Sequence, residues 1–152
     1  MNSEFALWIA FILCIVGLQI WSGWRRKRAM QKLANEIGFV YIGNTLPSSV
    51  PVAGTEIART SSIWNVIDGE RNGIRVVAFD CRFGAGKGSW RRTVIAVHAP
   101  RTAFGTVLLE PGFDTQEAAG WTIEFEPRRM GFSLQQLMDI EELEARIAAV
   151  GR

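Results

Sequence analysis

The stretch "CRFGAGKGSW", Cys81 to Trp90, holds three glycines and a lysine within five residues, with a serine close behind. Such a composition raises the chemistry of phosphate binding. A Walker-type loop, G-x-x-x-x-G-K-[ST], wraps phosphates in backbone N–H groups and holds Mg²⁺ through its hydroxyl. Here Gly88, not Ser or Thr, follows Gly86–Lys87, and Cys81 occupies the first-glycine position. The dinucleotide pattern G-x-G-x-x-G fails as well, because Gly84 and Gly86 are followed by Ser89 at the third position. Both motifs open a helix, whereas this run leads into the β-branched segment "SWRRTVIAV". The pattern predicts a hairpin tip without a nucleotide.

Other catalytic groups are sparse. His98 is the sole histidine, set in an apolar strand near Pro100, where a structural hydrogen bond is the simpler role. No serine lies in a G-x-S-x-G elbow, and no CxxC, HExxH or Cys/His cluster offers metal ligands. Glu124 and Glu126 share one face of a strand, with Ile123 and Phe125 on the other, as in a half-buried strand. Cys81 falls on a face with Val77, Phe79 and Phe83 and reads as a small core residue. The sequence points to a non-enzyme with no cofactor and no metal.

The elements that would position these residues begin with "FALWIAFILCIVGLQIWSGW", Phe5 to Trp24, twenty residues without a charge. As a helix this is about 30 Å long, matching a bilayer's hydrocarbon core. Trp8 sits near one end, Trp21 and Trp24 near the other, and "RRKR" (Arg25, Arg26, Lys27, Arg28) follows directly. A signal peptide carries its positive charge before the apolar run and a small-x-small site after it. The order here is reversed, so the expectation is an uncleaved single-pass anchor in the inner (plasma) membrane. The basic cluster then sets topology, contacts headgroups and leaves the following domain cytoplasmic. Residues 1–28 form the anchor and residues 29–152 the domain. Cys14 and Cys81 lie in different parts and form no disulfide framework. Ala6, Ala10 and Cys14 make a small-residue stripe, which leaves the oligomeric state open.

Charge supports this division. The chain is formally +2, yet residues 29–152 hold thirteen Lys/Arg against fourteen Asp/Glu, so the alkaline pI comes from the cluster and not from a nucleic-acid-binding domain. Within the domain, residues 71–101 carry seven basic side chains against Asp80 alone. Arg82, Lys87, Arg91 and Arg92 are candidate anion contacts, with Phe83 and Trp90 interleaved; single-stranded nucleic acid is the remoter ligand.

The periodicities give the order of elements. Met30, Leu33, Ala34 and Ile37 repeat as on a helix, and Gly38 stands at its C-cap. A strand follows at Phe39–Ile42, then a long connection with an alternative edge strand around Val52–Ala58. "IWNVIDGERNGIRVVAFDCRF" reads as two strands joined around Asp68–Gly69 and Asn72–Gly73. "SWRRTVIAVHA", "GTVLLE" and "WTIEFE" are further strands. The tail "SLQQLMDIEELEARIAAV" is helical, with Asp139 and Glu142 as a capping box and an apolar stripe of Ile140, Leu143, Ile147 and Val150. This predicts an α+β fold, an antiparallel sheet with flanking helices behind the transmembrane helix.

The segments "LANEIGFVYIG", "IWNVIDGERNGIRVVAFDCRFGAGKGSWRRTVIAV" and "GWTIEFEPRR", behind an anchor and a basic cluster, resemble a loose group of uncharacterised bacterial single-pass membrane proteins. That group shares an N-terminal transmembrane helix, an "A…LGF…Y" segment, a "nv..G…G..V..FDY" strand pair and a glycine-rich turn before a "TVV" strand. Cys81 replaces the usual aromatic after Phe79–Asp80. The resemblance implies the layout of a small α+β domain on an anchor and no activity or site residues. Two functions are compatible with these readings: a membrane-anchored, non-enzymatic binding or scaffolding module for a protein partner, or a pleckstrin-like domain that binds lipid headgroups or another small anion through the basic hairpin.

The reading of the glycine loop has a direct check. ATP or NAD at millimolar concentration leaves the thermal midpoint unchanged, since a ligand that binds only the folded state must raise it. A rise of several degrees that Lys87→Ala abolishes contradicts this.

Overall fold

A computed structural model describes residues 3–99, 113–127 and 137–151. One helix, α1, runs without a break from Ser3 to Ile37. At 1.5 Å per residue its 35 residues extend about 52 Å, well beyond the span of the apolar stretch alone. The apolar side chains from Phe5 to Trp24 are exposed by 40% to 70%. Among the described residues this is the one helix long and apolar enough to cross a membrane. The amphipathic segment after the basic cluster continues it, and Gly38, at φ +77°, ends it in the left-handed conformation that glycine adopts without strain.

Six strands follow: β1 (Val40–Gly43), β2 (Thr60–Arg71), β3 (Ile74–Phe83), β4 (Trp90–Val97), β5 (Asp114–Ala118) and β6 (Trp121–Phe125). They form one sheet in the order β1-β2-β3-β4-β6-β5, with every neighbouring pair antiparallel. A short helix, α2 (Ile140–Ala149), closes the chain. The α+β arrangement of a long apolar helix, an antiparallel sheet and a C-terminal helix is therefore present as expected.

The sheet is buried on both faces. Met30, Leu33 and Ala34 of α1 and Leu143 and Ile147 of α2 pack on Ile67, Val76, Ala78, Ile95 and Val97. The opposite face carries Val66, Val77, Phe79, Cys81, Val94, Ile123 and Phe125, covered by Val50 and Ile57. Those two covering residues come from the long connection after β1, which contains a 3-10 turn, Glu56–Arg59, where an edge strand was the alternative. Proline and small polar residues conceal in sequence that this connection closes a core.

Two further readings change, and one strand had gone unread. Of the two candidate turn pairs, only Asn72–Gly73 turns, both residues having positive φ as a tight hairpin requires. Gly69 lies inside β2, pressed beneath the ring of Phe39, where a Cβ would overlap the ring. Strand β5, "DTQEA", pairs with β6 through the Ala119–Gly120 turn; its polar composition gave no strand signal, because it is an edge strand. The C-terminal helix begins only at Ile140, with Asp139 as N-cap but without a side-chain capping bond, so the capping box is absent. The "GTVLLE" segment, 105–110, and the start of the tail, 133–136, lie outside the described residues.

The glycine stretch is the β3–β4 hairpin tip. Gly84 and Gly86 have positive φ, one 3-10 turn covers Gly86–Gly88, and Phe83 stacks on Trp90 across the strands at 5.7 Å.

Gly69→Ala must displace the Phe39 ring from a filled site and costs about 1–3 kcal/mol. Gly88→Ala meets open space at an ordinary φ and changes stability by no more than about 0.5 kcal/mol. Urea unfolding midpoints of the two variants measure both; equal stability of the two contradicts the packing of Phe39 on Gly69.

Candidate functional site

Asp80 lies in the middle of β3, on the face it shares with Val76 and Ala78, and is fully buried. A carboxylate in that position is tolerated only if it is paired and hydrogen-bonded. Four donors meet it. Arg26 of α1 binds both oxygens, Nε to Oδ2 at 3.1 Å and Nη2 to Oδ1 at 3.0 Å. The Thr93 hydroxyl donates to Oδ1 at 2.9 Å, and the Asn65 amide donates to Oδ2 at 3.0 Å. The two-point Arg–carboxylate contact fixes direction as well as distance.

The network extends through each partner. Arg26 also donates to the Met138 carbonyl, just before α2, and to Thr93 Oγ1 at 3.2 Å. Glu126 Oε2 accepts from the backbone N–H groups of Thr93 (3.1 Å) and Met138 (2.8 Å). Asn65 stands at a bulge in β2, where Asn65 and Val66 oppose the single residue Phe79, and its φ of +54° is the left-handed value that asparagine tolerates. The bulge aims its amide at Asp80, and its carbonyl oxygen accepts from Tyr41 Oη at 3.1 Å. Burial, then the charge of Asp80, raises the Tyr41 pKa, which keeps that phenol a donor.

The basic cluster therefore divides. Arg25 lies over the Trp21 ring at 4.9 Å and Arg28 over Trp24 at 4.5 Å, both on the exposed side, and Lys27 is exposed too. Arg26 differs from them: its side chain is only 14% exposed and belongs to the sheet's polar network. The boundary after residue 28 accordingly falls inside a helix already bound to the domain.

The candidate anion contacts divide as well. Arg92 turns to the opposite face of the sheet, where Glu56 (3.4 Å) and Asp114 (2.7 Å) pair with it. Strand alternation separates it from Arg91. Arg91 pairs across the hairpin with Arg82, on the α1 side. Lys87 lies in the turn, and its side chain is outside the described residues.

Among the described residues of that set, Arg91 alone lines a cavity of about 320 Å³, between α1 and the sheet, which Arg25 and Arg26 also line. Trp21, Ser22 and Gly23 form its α1 wall, Trp64 its floor beside Arg91, and Leu137, Asp139 and Ile140 its far lip. The cavity opens where the exposed apolar part of α1 gives way to the basic cluster. Burial, then the neighbouring Arg82, lowers the Arg91 pKa, with Asp80 opposing.

Other candidate groups have structural surroundings. Cys81 is fully buried and its thiol is pushed up to about 12, chiefly by burial and then by Asp80, so it stays protonated at neutral pH. The His98 ring packs on Trp121, with centroids 5.0 Å apart. Glu124 and Glu126 are not on a solvent face. Both are buried, Glu124 lying 3.8 Å from Arg146 of α2, because α2 and the segment before it cover that side of the sheet. Among the described residues, no group of three His, Cys, Asp or Glu side chains is placed to hold a metal ion. No family model, curated protein or solved structure matches the chain.

Sequence reasoning missed Asn65 and the pairing of Arg26 with Asp80. The available signal was Asp80 itself, the single acid in a basic stretch, on a strand position flanked on its own face by core residues.

Removing one partner of this buried pair, by Arg26→Ala or Asp80→Ala, costs about 3–5 kcal/mol, because the other charge is left without compensation. The double variant loses less than the sum of the two. Arg28→Ala, on the exposed side, stays within about 0.5 kcal/mol. Unfolding of the full-length protein in detergent measures the cycle; additive losses contradict the pairing.

Proposed function

We propose that the chain is a membrane-anchored, non-enzymatic binding module. In this reading α1 spans the bilayer once, uncleaved, and the sheet domain stands at the cytoplasmic surface of the plasma membrane. The observation that carries it is the continuity of α1. The apolar, exposed part passes without a break into Met30, Leu33 and Ala34, which are core residues, and is fixed between the two by Arg26 on Asp80. A leader destined for removal gains nothing from such a joint. Arg25 and Arg28, stacked one turn after Trp21 and Trp24, give the helix an aromatic and cationic collar where it leaves the hydrocarbon. The collar follows the apolar run, which favours the cytoplasmic side for the domain.

A second reading, anion binding, is favoured by the convergence of Arg25 and Arg91 on one cavity. It no longer rests on the whole basic hairpin, since Arg92 is neutralised on the far face.

Membranes extracted with alkaline carbonate retain the protein at its full mass, and a reporter fused after Arg152 is active only in its cytoplasmic form. A soluble chain trimmed near Gly23, or activity of a periplasm-dependent reporter, overturns the anchor.

A further inference from the structure

Among the described residues, three guanidinium groups line the cavity between α1 and the sheet, and they are not equivalent. Arg26 makes four hydrogen bonds, two to Asp80, one to Thr93 and one to the Met138 carbonyl. Arg25 and Arg91 have ring contacts, to Trp21 at 4.9 Å and Trp64 at 5.9 Å, and no carboxylate within 4.0 Å among the described residues. Arg91 also stands directly opposite Arg82 across β3 and β4, a like-charge cross-strand pair that costs stability. The Arg82 Nε is buried without a hydrogen-bond partner. Two cations in a partly enclosed site, one of them crowded by a third, are the arrangement that a bound anion relieves.

The lining fixes the charge of that anion. Among the described residues, Arg26 and Asp80 cancel, and Asp139 on the lip offsets one of the two remaining arginines, which leaves a net charge of one positive unit. A phosphodiester carries one negative charge; a phosphomonoester at neutral pH carries nearly two. Trp21 and Arg25 place the opening at the level where α1 leaves the apolar stretch, and a cavity of about 320 Å³ lies within the size range of small-molecule sites.

We propose that this cavity takes the phosphodiester headgroup of a single glycerophospholipid, with the phosphate held between Arg25 and Arg91 and the acyl chains lying along the apolar surface of α1 below Trp21. The site rests on the reading of α1 as a membrane anchor, and it deepens the anion-binding reading by naming the ligand.

Native mass spectrometry of the full-length protein, released from detergent after exchange into phosphatidylethanolamine, phosphatidylglycerol or diacylglycerol, counts retained lipid. One phospholipid per chain is expected, with no diacylglycerol. Arg25→Ala and Arg91→Ala each lower retention about tenfold or more, the loss of one charge-assisted contact, while Lys32→Ala, remote from the cavity, leaves it unchanged. Arg91→Gln keeps a polar side chain on the strand and must give the same loss, which separates the contact from a folding defect. Equal retention of diacylglycerol and phospholipid, or retention unaffected by both arginine variants, overturns the proposal. Glycerophosphoethanolamine, which lacks acyl chains, does not displace the lipid at equal concentration; displacement assigns the site to a soluble phosphodiester and overturns the lipid. Carbonate extraction of the same membranes separates the two failures. A chain that stays membrane-bound but retains no phospholipid sinks this site alone, whereas a chain released as soluble protein sinks the anchor.

Discussion

The buried ion pair between Arg26 and Asp80 is the constraint on which the arrangement depends. A charged carboxylate in the centre of a sheet is unfavourable by several kcal/mol unless it is compensated, and the compensation here comes from a different element. Arg26 can satisfy Asp80 only if α1 lies across β3 in one register and one direction, because the contact is bidentate. Apolar packing of Met30, Leu33 and Ala34 supplies area but little directional preference. Packing stabilises the joint between helix and sheet, and the ion pair specifies it.

The same residues tie down the rest of that face. Thr93 touches Asp80, Arg26, Glu126 and the Met138 amide, linking β4 to β3, to the residue that follows β6 and to the segment that leads into α2. Arg146 of α2 reaches back to Glu124 and lies over the Phe113 ring at 3.8 Å. Buried polar networks of this kind strengthen when complete and become costly when a member is lost. The exposed apolar part of α1 thus continues a segment tied to the sheet, and the cavity beside Arg25 lies where the two meet.

The sequence carried the architecture wherever periodicity was strong. The helical spacing of Met30, Leu33, Ala34 and Ile37, the alternation in β3 and the Asn72–Gly73 turn were all legible, because each follows from local geometry. The edge strand β5 was not, since an edge exposes polar residues on both sides. The covering role of Val50 and Ile57 was hidden in a segment rich in turn residues. Charges were the hardest to place. "RRKR" reads as one patch, yet Arg26 holds Asp80 while Arg25 stacks on Trp21. Arg91 and Arg92 are neighbours on a strand, and alternation sends one to the α1 side and the other to Glu56 and Asp114. Partners that lie far apart in the chain, 54 residues for Arg26 and Asp80, leave no local trace.

The central claim is that Arg26 and Asp80 hold α1 rigidly on the sheet, and a distance distribution tests it most directly. Cys14 is exposed on α1 and accepts a spin label, whereas Cys81 is buried with a suppressed thiolate; Glu70→Cys adds a second label on the exposed end of β2. Pulsed electron spin resonance of this doubly labelled chain in lipid nanodiscs should give one narrow distance that broadens when Asp80→Ala is added. A broad distribution in the chain that retains Asp80, or a narrow one indifferent to its loss, would contradict the account.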